Sequence, residues 1–395
     1  MTQTGTAAGD GRARRVLVVA GTRPEAIKTA PVAKALQRLS AEGVPVETKI
    51  CLTGQHRQML DSVMRTFHLK ADFDLDVMSA NQTLCDVTCK VLKGMEGVYA
   101  SWRPDLVLVQ GDTTTVMAAA LAAFYAKIPC GHIEAGLRTG DIMSPWPEEM
   151  NRLLAGCLAD LHFAPTPRSK ENLLRENKNP AKVFVTGNTV IDALHDALAA
   201  VDADPALSAE LAGRFPFLDP SKRLVLVTGH RRENFGEGFE NICRAIAATA
   251  SRGDVQVVYP VHMNPNVREP VGRHLANLPA VKLIEPLDYL PFLWLMRRSY
   301  LIMTDSGGVQ EEAPSLGKPV IVMRDTTERP EAVAAGTVLL AGTGEKDLVE
   351  AATRLLDDEA AYSAMSRAVN PYGDGHAADR IARLSCGLPA NEWTA

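Results

Sequence analysis

The sequence predicts an α/β protein made of two doubly wound parallel sheets. Three observations support this. Short apolar, β-branched runs recur along the chain, and they are continuous rather than alternating, as strands buried on both faces are. Stretches with helical spacing separate them, so βα units repeat. The chain has 395 residues, too many for one ordinary domain and suited to two.

In the first half, VLVVA (16–20), VETKICL (46–52), DLVLV (105–109), CGHIE (130–134) and LHFAP (161–165) read as strands. In the second, VFVTG (183–187), RLVLVTG (223–229), VQVVYPV (255–261), VKLIE (281–285), YLIMTD (300–305) and PVIVM (319–323) do so. Helical patterns at 113–126, 148–159 and 346–356 lie between them. The expected division is residues 1–186, with 1–13 a flexible extension, then 187–374 and a terminal segment 375–395. The Asp- and Ala-rich stretch 200–210 reads as a surface loop or a frayed helix end.

Hydrophobic residues make up 46% and charged residues 23%, enough for two real cores. A net charge of −5 gives no basic footprint, which argues against nucleic-acid binding but leaves room for a small anionic ligand. Seven scattered cysteines without a C-x-x-C fit a reduced, cytoplasmic chain with neither disulfide frame nor metal site. Cys85 and Cys89, four apart, read as helix packing. The longest apolar run, 116–126, is too short to span a membrane, and the start of the chain does not read as a signal peptide. No G-x-G-x-x-G and no G-x-x-x-x-G-K-[ST] occurs, so dehydrogenases and P-loop enzymes lose their signatures.

Ligands of open α/β sheets bind beyond the C-terminal strand ends, and the polar residues gather there. After the first strand, GTRPEAIK (21–28) offers a Thr22–Glu25 capping box with Pro24 in the first turn. A cation at a helix N-terminus opposes the macrodipole, so Arg23 calls for an anion. Asp112 in QGDTTT ends a buried strand, as a functional carboxylate or a helix N-cap. Glu134 ends another. Glu148 and Arg152 are spaced i, i+4, which alone favours a solvated salt bridge worth ~0.3–0.5 kcal/mol. His230 lies in TGHRRENFGEG beside two arginines. Ser306-Gly307-Gly308 opens a helix whose first turn is expected to hold Glu311 and Glu312, as dipole partners or ribose ligands. Arg324, Glu328 and Arg329 follow a later strand. Together these features suggest a nucleoside-diphosphate ligand in a cleft between the domains, without identifying the reaction.

GTRPEAIK, TGQHRQML, GDTTT, GHIEAGLRTGD, SPWPEEMNR, TGNTVIDAL, TGHRREN, PVHMNPNVREP, TDSGGVQEEAPSLGKP, RDTTERPEA and NPYGDG, in that order from about residue 15 to 385, resemble the non-hydrolysing UDP-N-acetylglucosamine 2-epimerase family. The resemblance implies the GT-B architecture, two Rossmann-like domains with a C-terminal helix (375–395) crossing back to the first. It implies inversion of C2 in UDP-GlcNAc to give UDP-ManNAc, by elimination of UDP to 2-acetamidoglucal and re-addition, with no cofactor. Its catalytic positions correspond to Asp112, Glu134, Glu148 and His230. Its substrate-binding positions correspond to Arg23, Lys28, Arg152, Leu287, Phe292, Ser306, Gly307, Gly308, Glu312 and Arg329. Leu287 departs from the Gln of some members, so a side-chain contact to uracil would be lost there and a main-chain contact kept. Gln55, Gln58, Arg231 and His262 match a second, allosteric UDP-GlcNAc site of regulated members, although Gln55 and Gln58 also suit a helix cap. A homodimer serving cell-surface polysaccharide synthesis is expected. A GT-B glycosyltransferase, a hydrolysing epimerase releasing free ManNAc and a non-catalytic nucleotide-sugar sensor are the alternatives. Product analysis separates them.

Overall fold

The computed structural model describes residues 12–54, 57–79 and 81–394, with 57–59 described by backbone alone. The chain forms two compact units, one of residues 1–197 with 372–395 and the other of residues 198–371.

Unit 1 runs β1 (Arg14–Ala20), α1 (Arg23–Ala41), β2 (Val46–Leu52), α2 (Arg57–Thr66), β3 (Phe73–Asp74), α3 (Leu84–Ser101), β4 (Leu106–Gln110) and α4 (Thr114–Tyr125). It continues with β5 (Cys130–Ile133), α5 (Glu148–Leu158), β6 (Leu161–Ala164), α6 (Pro167–Arg175), β7 (Val183–Val185) and the start of α7 (Thr189–Ala203). The seven strands are all parallel in the order β3-β2-β1-β4-β5-β6-β7. Every residue of β4 is buried, which is why its sequence is apolar without alternation.

Unit 2 comprises α8 (Pro205–Gly213), β8 (Arg223–Thr228), α9 (Glu237–Ala250), β9 (Val255–Pro260), α10 (Pro265–Leu275), β10 (Val281–Ile284) and α11 (Tyr289–Arg298). It ends with β11 (Leu301–Thr304), α12 (Gly307–Glu312), β12 (Val320–Val322), α13 (Pro330–Ala334), β13 (Val338–Leu340), α14 (Glu345–Asp357) and α15 (Glu359–Ser366). Its six strands are parallel, ordered β10-β9-β8-β11-β12-β13. Val225, Val227, Tyr259 and Met303 form its core with Phe239 and Ile242 of α9. The last helix, α16 (Ala377–Ser385), belongs to unit 1 and packs on α1.

Each sheet reverses strand order once, between β1 and β4 in unit 1 and between β8 and β11 in unit 2. Crevices for ligands form at such points. GTRPEAIK and GDTTT follow β1 and β4, and TGHRREN and TDSGG follow β8 and β11.

Several expectations change. VFVTG pairs with β6 and so belongs to the first sheet rather than the second half. The break expected near residue 186 falls instead within α7, because Asp192 of α7 accepts the N–H groups of Ala377 and Ala378 and so ties that helix to α16. The stretch 200–210 is the end of α7 and most of α8, with the Asp204 carboxylate capping Ala206 and Leu207. Cys85 and Cys89 are exposed on α3 rather than packed. Residues 1–11 lie outside the described residues, while Arg12 of the expected extension bonds Asp105 at 2.6 and 2.7 Å. Among the described residues no helix is long and apolar enough to cross a membrane.

Candidate active-site and nucleotide-binding groups

At the unit 1 reversal, Gly21 leads from β1 into α1. A Cβ there would lie 2.3 Å from Thr115 Oγ1, so only glycine admits this approach of the two turns. The expected capping box is altered. The Thr22 hydroxyl caps no backbone N–H but donates to Glu25 Oε1 at 3.0 Å, and Glu25 Oε2 accepts the N–H of Gly21 at 2.6 Å. Burial, with a smaller push from Asp112, raises the Glu25 carboxyl to about 7 against hydrogen bonds from Thr113, Gly21 and Thr22. Arg23, the first residue of α1, is half-buried and makes no ion pair or hydrogen bond among the described residues.

Lys28, one turn into α1, reaches both oxygens of Glu134 at 2.7 and 2.8 Å. Glu134 follows β5 with φ at +63°, a conformation that costs a non-glycine residue energy and that concentrates at functional sites. Asn188 donates to Glu134 Oε1 at 3.2 Å, and Gln110 Nε2 also donates to this carboxylate.

Asp112 is not a helix cap, since the Thr113 hydroxyl accepts the N–H of Val116 and caps α4. Its carboxylate instead receives Arg152 Nε at 2.9 Å and Nη2 at 2.8 Å. Arg152 turns its third donor to Glu149 Oε2 at 2.8 Å. The expected Glu148–Arg152 bridge is therefore absent. Successive helical residues lie about 100° apart, and Arg152 is directed to the face bearing Glu149. Glu148 is half-buried and has no charged partner among the described residues. Glu149 was not anticipated. It is 1% exposed, and its Oε1 accepts the N–H groups of Thr139 and Gly140 at 3.0 and 3.1 Å, fixing the loop after β5. His132 of β5 is another addition. Burial pushes it down to about 4, and its neutral ring donates Nε2–H to Gly111 O at 2.7 Å, steadying the turn before Asp112.

At the unit 2 reversal, His230 follows β8 and stacks on His262, with ring centroids 5.3 Å apart and planes at 14°. Both are exposed, and Arg231 between them in chain order is half-buried. Ser306 caps α12 without a side-chain bond, its own N–H bonding Thr304 Oγ1 at 2.9 Å. Gly307 lets the Arg329 guanidinium rest on bare backbone, since a Cβ there would lie 2.9 Å from Arg329 Cζ and would displace it. Gly308 is half-buried beside it. Arg329 reaches Glu311 at 2.8 Å and Glu328 at 3.1 Å. Because α12 has only six residues, Glu311 and Glu312 close it rather than open it, so the expected dipole stabilisation does not apply. Glu312 Oε1 accepts Tyr289 O–H at 3.2 Å, from the first residue of α11. Leu287 lies half-buried in the turn before α11, and Phe292 within that helix. Gln55 lies outside the described residues, and Gln58 is described only as backbone of α2.

The structure thus gathers Arg23, Lys28, Asp112, Glu134, Glu148 and Arg152 around the strand ends of one unit. It gathers His230, Arg231, His262, Ser306, Gly307, Gly308, Glu312 and Arg329 around those of the other. Signals for Glu149 and His132 existed in the quoted motifs, but burial, not spacing, distinguishes them.

Residues 37–385 match the family model described as UDP-N-acetylglucosamine 2-epimerase. The chain is 59% identical over 368 residues to the UDP-N-acetylglucosamine 2-epimerase of Escherichia coli (strain K12), covering 93% of this chain and 97% of that one. It is 50% identical over 375 residues to that of Campylobacter jejuni, covering 94% and 97%. Its fold is similar to the UDP-GlcNAc 2-epimerase from Neisseria meningitidis bound to UDP-GlcNAc, with TM-score 0.86, 50% identity, and 94% and 99% of the two chains covered. The Methanocaldococcus jannaschii enzyme in complex with UDP-GlcNAc and UDP is similar too, with TM-score 0.75, 34% identity, and 94% and 99% covered.

Proposed function

Since the chain belongs to the UDP-N-acetylglucosamine 2-epimerase family and is an epimerase, we propose that it inverts C2 of UDP-GlcNAc by eliminating and re-adding UDP. The C2 hydrogen is not next to a carbonyl, so direct abstraction would be very slow. In the proposed course a base takes the C2 proton as the C1–O bond breaks and its electron pair leaves with UDP. The product of this step is 2-acetamidoglucal. Protonation of C2 from the other face and return of a diphosphate oxygen to C1 give UDP-ManNAc, so atoms and charge balance without a redox partner.

Proton transfer by a positioned side chain contributes about 10²–10⁴-fold. Asp112, Glu134 and Glu148 are the carboxylates assigned to it. What supports this is that Asp112 lies just after β4 and Glu134 directly after β5, each held by a cation, while Glu148 has no charged partner among the described residues. Arg23 at the start of α1 is assigned to the charge that develops on the departing diphosphate, where donors aimed at the transition state act most strongly. His230 is assigned to the reacting sugar nucleotide. Ser306, Gly307, Gly308 and Arg329 are assigned to phosphate, Glu312 to the ribose diol, and Leu287 and Phe292 to the uracil base. The single observation that carries the proposal is this division of labour, with carboxylates beyond the strand ends of one sheet and small residues with a histidine at the reversal of the other.

Arg231, next to His230 in the chain, and His262, stacked on its ring, are proposed to bind a second UDP-GlcNAc as activator, together with Gln55 and Gln58. The chain is proposed to act as a cytoplasmic homodimer feeding polysaccharide synthesis. The decisive experiment is incubation with UDP-GlcNAc in heavy water, followed by NMR. UDP-ManNAc carrying deuterium at C2 is expected. Unlabelled product would remove the elimination mechanism, and free ManNAc or a glycoside would replace the activity.

A further inference from the structure

Asp305 follows β11 and is wholly buried, at 0% exposure. Its two oxygens have different surroundings. Oδ2 accepts the backbone N–H groups of His230 and Arg231, each at 2.8 Å, and the Asn234 side chain at 3.3 Å. Oδ1 has no hydrogen-bond partner among the described residues and lies 3.6 Å from His230 Nδ1. A buried acceptor without a donor costs about 1–3 kcal/mol, more when charged. The arrangement is therefore unfavourable unless the His230 ring supplies the donor. Less than about 1 Å of ring movement would bring the pair to hydrogen-bond distance, and such bonds in ligand-free sites are often long. His262, stacked nearly parallel on the ring, leaves sliding in the plane as the permitted motion.

We propose that Asp305 is a positioning residue that holds His230 in the tautomer protonated on Nδ1, leaving the Nε2 lone pair for the sugar nucleotide. Through Oδ2 the same carboxylate fixes the loop that carries the histidine, so one buried group sets both the place and the protonation of the ring. The placement at the reversal between β8 and β11 supports this, because neighbouring strands at that point let a residue after one strand reach the loop after the other. The inference rests on His230 acting at the substrate, as proposed above. Burial, above all, holds the His230 ring below the usual histidine range; of the groups facing it, Asp305 favours the charged form, and His262 and Arg231 oppose it.

Asp305→Asn tests it. The amide oxygen can still accept the loop N–H groups, but an NH₂ now faces Nδ1 and requires the opposite tautomer. Nitrogen-15 correlation spectra of the full chain with UDP should show His230 as Nδ1–H before substitution and Nε2–H after it. The kcat should fall by about 10²–10⁴, as for an amide placed behind a catalytic histidine, with KM nearly unchanged. The limb of the pH–rate profile set by His230 should move to lower pH, because the charge favouring imidazolium is gone. In a His230→Ala background the substitution should cost less than about 2-fold, since the two act as one unit. An equal loss in both backgrounds would make Asp305 a loop anchor only. A wild-type ring protonated on Nε2 would overturn the proposal outright, and that measurement needs no variant to fold. Failure of the unsubstituted chain to epimerise would instead overturn the functional assignment and leave the tautomer result standing.

Discussion

Arg152→Ala removes a cation that holds two carboxylates at once. Three of its N–H groups are engaged, two on Asp112 at 2.8 and 2.9 Å and one on Glu149 at 2.8 Å. Were this an exposed pair, the loss would be about 0.2–1 kcal/mol. The side chains, however, are 13% exposed for Arg152 and 1% for Glu149. Stripping one partner from a buried pair strands the other charge and costs about 3–5 kcal/mol. Glu149 keeps the N–H groups of Thr139 and Gly140, which points to the lower end. At about 2–4 °C per kcal/mol for a unit of this size, the unit 1 transition should drop by about 6–12 °C. Scanning calorimetry of Arg152→Ala, Glu148→Ala and Arg152→Ala/Glu149→Gln reads this directly. Glu148→Ala should cost under about 0.5 kcal/mol, as surface changes do, and the double variant should recover part of the loss by discharging the stranded carboxylate. An Arg152→Ala variant within about 1 kcal/mol of wild type, the ceiling for an exposed pair, would refute the reasoning. So would a Glu148→Ala variant equally destabilised.

Lys28→Met strands Glu134, whose side chain is 6% exposed, and should lower kcat by at least about 10²; an unchanged rate would show that the pair serves the fold alone. Gly307→Ala puts a methyl group 2.9 Å from the Arg329 guanidinium, so the guanidinium must shift, and UDP affinity by calorimetry should weaken by about 10-fold, or ~1.4 kcal/mol; an unchanged Kd would free Arg329 of its assigned role. Burial pushes His132 and His162 down to about 4 and about 3, so in the folded chain neither should titrate by NMR between pH 5 and 8. The unfolded chain binds those protons near 6.5, so their contribution to stability is full above that pH and is lost on acidification toward 4. Replacing both by Asn should flatten that acid slope in denaturant titrations.

How much of this was readable in the sequence depended on whether the information was local. Strands β1, β4, β8 and β11 announced themselves because burial on both faces leaves a continuous apolar run. Phe73–Asp74 and Val338–Leu340 did not, being too short to form one. Helix α8 was missed although Asp204-Pro205 is a sound start signal, since an Ala- and Asp-rich stretch reads equally as solvated loop. The candidate carboxylates could be found because strand ends can be found. Their partners could not. The i, i+4 rule chose Glu148 for Arg152, whereas the guanidinium turned to Glu149 and to Asp112 on another loop. Asp305 stood inside a quoted motif, yet its reach to His230 depends on β8 and β11 being neighbours, which is a property of strand order and not of spacing.

Helix α16 has a consequence for how the chain is made. Its buried Ala377, Ala378, Ile381 and Ala382 complete unit 1, Arg38 pairs with Asp379, and Asp192 holds its first N–H groups. All of residues 198–371 are synthesised before it. At about 5–20 residues per second, the first unit waits roughly 10–40 s for the helix that covers α1. The N-terminal half, though made first, cannot finish folding until the last residues of the chain are made. A chain cut after residue 371 would keep every residue of unit 2 yet leave the face of α1 that α16 covers open to chaperones and proteases.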